Sequence, residues 1–289
     1  MRWVTVATED GPRACGVVRG SYVDVNAADP RRPATVRGLL ALGEGERRAA
    51  WEALEGGPVR YDPATARLLA PVPDPRKILC IGLNYRDHAI ESGAEIPGEP
   101  VLFAKYATTL IGHGAPIVLP RACREVDYEA ELVVAIGRGG RHIPRDRAFE
   151  HVGGYTVGHD VSARDWQFRG PARQWTIGKT FDTFAPAGPE LVSPDEAGDP
   201  HDLGIRLRLN GQVMQDSSTT QLIFGIDVLI AYLSQVMTLE PGDLIYTGTP
   251  PGVGMARKPP VWLKAGDVVE VEIDRLGTLS NTVVAENTD

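Results

Sequence analysis

The sequence predicts a β-rich α+β fold in two unequal parts, a small N-terminal α/β unit over residues 1–72 and a larger unit over residues 73–289. Strand patterns dominate from residue 78 onward, and they do not alternate regularly with helices as a doubly wound sheet requires. The stretch "APVPDPRK" (70–77) packs three prolines into eight residues and is the best linker in the chain. The 289 residues are 43% hydrophobic and 24% charged, enough apolar content for a sizeable core.

Each element follows from its local pattern. "WVTVAT", "ACGVVRG" and "SYVDVN" read as short strands joined by Gly-containing turns. "VRGLLALGEGERRAAWEAL" reads as helix, broken by Gly43 and Gly45. After the linker, "ILCIGLNY" is an apolar strand running into a polar turn. "DYEAELVVAIG" (127–137) and "GYTVGHDVS" (154–162) are strands with polar ends. "IRLRLNGQVMQ" carries Asn210-Gly211 between alternating arms, a two-residue hairpin signal. "LIFGIDVLIAYLSQVMTLEPGD" is the clearest helix: Ile226, Leu229, Ile230, Leu233 and Met237 form one stripe, and Pro241-Gly242 stops it. "DLIYTGTPPGVG" is a strand ending in a Gly/Pro loop, and "GDVVEVEIDRLGTLSNTVV" is a closing pair of strands.

Composition removes several function classes. The formal net charge is −8, and there is no basic stripe for nucleic acid. No apolar run approaches the roughly 20 residues that span a bilayer, and "MRWVTVATED" has no signal-peptide core. Cys15, Cys80 and Cys123 are widely spaced and odd in number, so neither a disulfide framework nor a thiol metal site is expected, and a reduced, cytoplasmic setting is. The GxxxxGK[ST], GxGxxG and GxSxG patterns are absent, which argues against nucleotide enzymes and serine hydrolases.

The acidic residues opening "DYEAELVVAIG" raise the chemical question. Glu129 and Glu131 are two apart on a strand and so project from one face, where like charges repel. On a solvated face, water screens the pair; at a buried site, a divalent cation cancels the repulsion and takes the oxygens as ligands. Asp160, at the end of its strand, would make a third carboxylate, a set that suits Mg²⁺ or Mn²⁺, although a solvated strand end needs no metal.

Three further stretches offer chemistry. In "GLNYRDHAIESG", Asn84 can cap a short helix, on which His88 and Glu91 stand at i and i+3 and can touch. A carboxylate beside an imidazole suits a general base, and equally describes an ordinary surface pair. Arg86 in the same stretch is a candidate substrate-binding residue. In "QWTIGKTFDTFAP", Lys179 either snorkels or stabilises a developing oxyanion. "YTGTPPGVG" offers Thr249 and successive backbone N–H groups that can hold a carboxylate, or a plain turn.

In this order the motifs resemble the fumarylacetoacetate hydrolase family. The matching stretches are "KILCIGLNYRDHAIESG", "VLFAKYATTLIGHGAPIVLP", "VDYEAELVVAIG", "GYTVGHDVSARDWQ", "QWTIGKTFDTFAPAGP" and "GDLIYTGTPPGVG". The resemblance covers roughly residues 76 to 285 and implies a β-sandwich roll behind a small N-terminal domain, usually in homodimers. It implies Mg²⁺ or Mn²⁺ held by Glu129, Glu131 and Asp160. It also implies a His88–Glu91 dyad on a lid, a catalytic Lys179, and substrate contacts at Arg164, Gln167 and Thr249; Gly93 and Gly98 bracket a candidate hinge for that lid. Two departures stand out. His159 occupies the place where family members usually have Asn, and the founding hydrolase's additional upstream Asp ligand has no counterpart, which points to the three-carboxylate, acylpyruvase-like branch.

The activity so implied is hydrolysis of a C–C bond in a 1,3-diketo acid, an acylpyruvate or 2,4-diketo-3-deoxy acid, releasing pyruvate. The small 2-oxo acid is the expected partner, with neither nucleic acid nor membrane. Within the family the alternatives are oxaloacetate decarboxylation and isomerisation of a related dioate. A non-catalytic metal-stabilised module would need the three acids but not His88, Glu91 and Lys179.

Overall fold

The computed structural model describes residues 1–171 and 174–287, and it has the β-rich α+β architecture that the sequence predicts. Two layered sheets carry the fold. The larger runs from edge to edge through Arg60–Tyr61, Ser21–Asp24, Gly11–Val18, Arg2–Thr8, Ala185–Val192, Val152–His159, Ala130–Ile136, Leu244–Tyr246, Ile78–Gly82 and Val101–Lys105. The smaller holds Gln212–Ser218, Gly204–Leu209, Val268–Ile273, Gly277–Ala285 and Ile117–Leu119. The strands on either side of the expected boundary at residue 72 share the larger sheet, because Arg2 and Trp3 pair with Val192 and Leu191.

The Ala130–Ile136 strand is buried at every position, and its alternation shows why. Leu132, Val134 and Ile136 enter one core with Leu207, Val271 and Leu279 of the smaller sheet, while Val133 and Ala135 enter a second with Trp3, Leu39 and Leu40. A strand covered on both faces needs apolar side chains of both parities. The Ile226–Val236 helix buries Ile226, Leu229, Ile230 and Leu233, the predicted stripe without Met237. It ends at Val236, earlier than Pro241, and Met237 is its extended C-cap. The predicted N-terminal helix is two pieces, Val36–Leu40 and Glu44–Glu52. Gly43 caps the second piece, and Gly45 lies inside it. Asn210 and Gly211 both take positive φ, 53° and 79°, the pair that a tight hairpin turn demands.

Topology gathers one end of the large sheet. Ala130–Ile136 runs antiparallel to Val152–His159 and to Leu244–Tyr246, and Leu244–Tyr246 runs parallel to Ile78–Gly82. The start of the first strand therefore lies beside the ends of the other three. Glu129 and Glu131, Asp160, Thr247–Thr249 and the turn leading to His88 all emerge there.

Candidate functional site

The predicted 127–137 strand is interrupted: Val126–Asp127 pairs with Ser162–Ala163, and regular pairing resumes only at Ala130. The break at Tyr128 and Glu129 lets the Glu129 carbonyl accept from Asp160 N–H at 2.9 Å and brings the two acidic stretches together. Glu129, Glu131 and Asp160 are all buried, so the solvated reading does not hold. One carboxylate oxygen from each lies within 4.8 Å of the others. Opposite ligands of one cation at about 2.0–2.6 Å stand about 4–5 Å apart, so the spacing fits a single divalent ion. Asp160 Oδ1 adds to the fit, since it is buried without an aligned hydrogen-bond donor even though Lys105 Nζ is 2.6 Å away in ionic contact.

Three buried cations face the acids. Lys179 Nζ donates to Glu129 Oε2 at 2.6 Å and to Asp160 Oδ2 at 2.8 Å, which excludes a snorkelling side chain. It ends the short Trp175–Lys179 helix, where a Cβ at Gly178 would run into the Gln167 backbone; glycine thus lets this helix press against Arg164–Gln167. Arg164 donates Nη2 to Glu129 Oε1 at 2.6 Å, Nε to Asp127 Oδ2 at 2.8 Å and Nη1 to Gln167 Oε1 at 2.8 Å. Lys105, which sequence reasoning missed, donates to the carbonyls of Val161, Lys179 and Phe184. Its sequence signal was a lysine inside the apolar strand "VLFAK".

With Asp127 included, four buried carboxylates meet three cations. Glu131 alone of the four makes no ion pair among the described residues, accepting instead from Gly248 N–H at 2.9 Å. Burial, then the charges of Asp160 and Glu129, push its carboxyl well above the usual range. Burial opposes ionisation of Glu129 too, but there Lys179 and Arg164 prevail and hold the group low. A divalent ion would supply the charge that Glu131 lacks.

Glu129, Glu131, Asp160, Arg164 and Lys179 line a cavity of about 300 Å³ together with His88, Gln167 and Thr249. His88 Nδ1 is 3.2 Å from Glu91 Oε2, and Glu91 also accepts from Gly252 N–H at 2.9 Å, which ties the His88 helix to the Gly-rich loop. That helix, Arg86–Ser92, is capped by Tyr85 and closes on left-handed Gly93. Asn84 is not its cap; its side chain bridges the Thr247 carbonyl and the Phe224 backbone. Thr249 Oγ1 accepts from Gln215 Nε2 at 2.9 Å, a partner that no sequence pattern announced. Arg86 lies outside the cavity. It donates to the Leu222 carbonyl at 2.7 Å and lines a separate depression with Arg145 and His201, because two positions along a helix turn it away from His88. His159 is buried with Nε2 unpaired, and burial followed by the charge of Lys105 pushes its ring down to about 3.

Residues 77–284 match the family described as fumarylacetoacetate (FAA) hydrolase C-terminal. The Xenopus laevis protein named oxaloacetate tautomerase fahd2, mitochondrial, is 51% identical over 265 residues, 92% of this chain and 83% of that protein. A crystal structure of 5-carboxymethyl-2-hydroxymuconate delta-isomerase from Mycobacterium smegmatis superposes with a TM-score of 0.77 at 37% identity, covering 100% of both chains. Maleylpyruvate hydrolase from Sphingobium sp. SYK-6, in complex with manganese(II) and pyruvate, superposes with a TM-score of 0.82 at 33% identity, covering 99% of this chain and 100% of that one.

Proposed function

Because the chain belongs to the fumarylacetoacetate hydrolase family, we propose that this enzyme interconverts the keto and enol forms of a short 2-oxo diacid of the oxaloacetate type. The observation that carries this reading is the buried carboxylate cluster with Lys179 at its centre, sharing one cavity with His88. The 51% identical relative, named as an oxaloacetate tautomerase, supports this chemistry over the acylpyruvate hydrolysis that the motifs imply.

Glu129, Glu131 and Asp160 would hold a divalent Mg²⁺ or Mn²⁺; the manganese in the maleylpyruvate hydrolase structure supports that metal class. When bound, such an ion supplies Lewis-acid polarisation of the 2-oxo group. His88 takes a proton from the carbon next to that group; with Nδ1–H donated to Glu91, Nε2 is the basic nitrogen. The Lys179 ammonium stabilises the negative oxygen of the resulting enolate. Thr249, which accepts from Gln215, directs its own hydroxyl hydrogen at the substrate carboxylate. Returning the proton to oxygen gives the enol, and returning it to carbon gives back the keto acid. Arg164 has its donors committed to Asp127, Glu129 and Gln167, so it organises the acids, and Gln167 orients Arg164.

Hydrolysis of an acylpyruvate is the second reading. The His88–Glu91 contact at 3.2 Å favours it, since the same pair can activate water. Decay of the oxaloacetate enol absorbance, measured beside pyruvate release from an acylpyruvate, separates the two. A homodimer in a reducing, cytoplasmic setting completes the proposal: Cys15, Cys80 and Cys123 are all free and buried. Sedimentation tests the dimer and fractionation the compartment.

A further inference from the structure

The cavity has two chemically different ends. At one end are the carboxylates and Lys179. The other begins at Phe103, whose ring centroid is 5.1 Å from Lys179 Nζ. Trp175 meets Phe103 edge-on at 5.9 Å, and Leu83, Phe168 and Met255 also line the cavity. The wall is built in: a Cβ at Gly82 would collide with the Trp175 ring, so the bare strand end is what lets the indole lie there. Among the described residues lining the cavity, the lysine and arginine are Lys179 and Arg164, and both are paired with carboxylates. The apolar end therefore offers a second substrate carboxylate no lysine or arginine of its own. At about 300 Å³ the cavity reaches the range that holds drug-sized ligands, with room beyond a four-carbon acid.

We propose that the enzyme also tautomerises 2-oxo acids that carry an aryl or branched alkyl group on C3, with arylpyruvates as the substrate class. The inference rests on the tautomerase reading and extends it to this class. The 2-oxo-carboxylate end occupies the carboxylate and Lys179 side, and the apolar group lies against Phe103 and Trp175. One C3–H bond breaks, its proton passes to His88, and its electron pair forms the C2=C3 bond as the carbonyl π pair moves to oxygen. That oxygen then takes a proton. Nothing is oxidised or reduced, and no co-reactant is consumed.

The test follows the ultraviolet absorbance of the enol of phenylpyruvate and, in parallel, of oxaloacetate, with the wild-type enzyme and Mn²⁺. Turnover of both is expected. The ratio of kcat/KM for phenylpyruvate to that for oxaloacetate should then fall about tenfold or more in Trp175→Ala, the scale on which apolar contacts discriminate substrates. Trp175→Leu, a milder change, should lower it by less and covers the case where the alanine variant does not fold. Turnover of oxaloacetate without phenylpyruvate overturns this inference and leaves the tautomerase reading standing. Turnover of neither overturns both. An unchanged ratio in the Trp175 variants removes the apolar wall from substrate selection.

Discussion

Lys105 Nζ lies 2.6 Å from Asp160 Oδ1, with both side chains fully buried. The same ammonium donates to the carbonyls of Val161, Lys179 and Phe184, so it fixes the backbone behind a candidate ligand and the end of the helix that presents Lys179. Breaking one side of a buried pair leaves an uncompensated charge and typically costs about 3–5 kcal/mol. Lys105→Met should lose about that much in a denaturant titration and should also weaken Mn²⁺ binding. A variant as stable as wild type would show that the contact holds nothing in place.

The second expectation concerns pH and metal. Folding raises the Glu131 carboxyl, through burial first and then Asp160 and Glu129. A group raised above its unfolded value of about 4.3 contributes stability that is complete below that pH and is lost as pH rises through the folded pKa. Metal-free protein should lose this contribution as pH rises above the unfolded value and through the raised one, while a bound cation favours the ionised form. The gain in Tm on adding Mn²⁺ should therefore be larger at alkaline than at mildly acidic pH. Glu131→Gln should flatten the difference; a gain that shrinks as pH rises would contradict the assignment.

His88 is the third. General-base catalysis contributes about 10²- to 10⁴-fold, and His88→Ala should cut tautomerase kcat by that order while metal binding stays intact. Glu91→Gln should cost less, since it keeps the shape but weakens the hold on both Nδ1 and Gly252 N–H. Wild-type kcat in His88→Ala would remove the dyad from the reaction.

Arg164→Lys supplies the fourth. A lysine cannot reproduce three directed bonds to Asp127, Glu129 and Gln167. The variant should bind Mn²⁺ more weakly and unfold more readily, as calorimetry would show. A rise in KM alone, with metal affinity and stability unchanged, would return Arg164 to direct substrate contact.

The sequence made the acids legible because Glu129, Glu131 and Asp160 stand at strand ends inside apolar runs. The helix stripe from Ile226 to Leu233 and the Asn210-Gly211 turn were legible for the same local reason. Lys105 was not, since an isolated lysine in a strand looks like a surface residue until the sheet edge is folded over it. Gln215 was invisible because its partners, Ala130 N–H and Thr249 Oγ1, are far away in the chain. Arg86 misled because nearness to His88 in sequence places it on the opposite side of a short helix. The break at Tyr128–Glu129 depends on pairing with Ser162–Ala163, a long-range contact that strand periodicity does not encode.

Enolate chemistry supported by a carboxylate-held cation is tested most directly by the oxaloacetate enol assay. Enzyme stripped with chelator and then given Mg²⁺ or Mn²⁺ should accelerate enol–keto interconversion, and Asp160→Ala should abolish the acceleration under both metals. Full activity in excess chelator would contradict the account. So would metal-dependent pyruvate release from an acylpyruvate by an enzyme that leaves the oxaloacetate enol untouched.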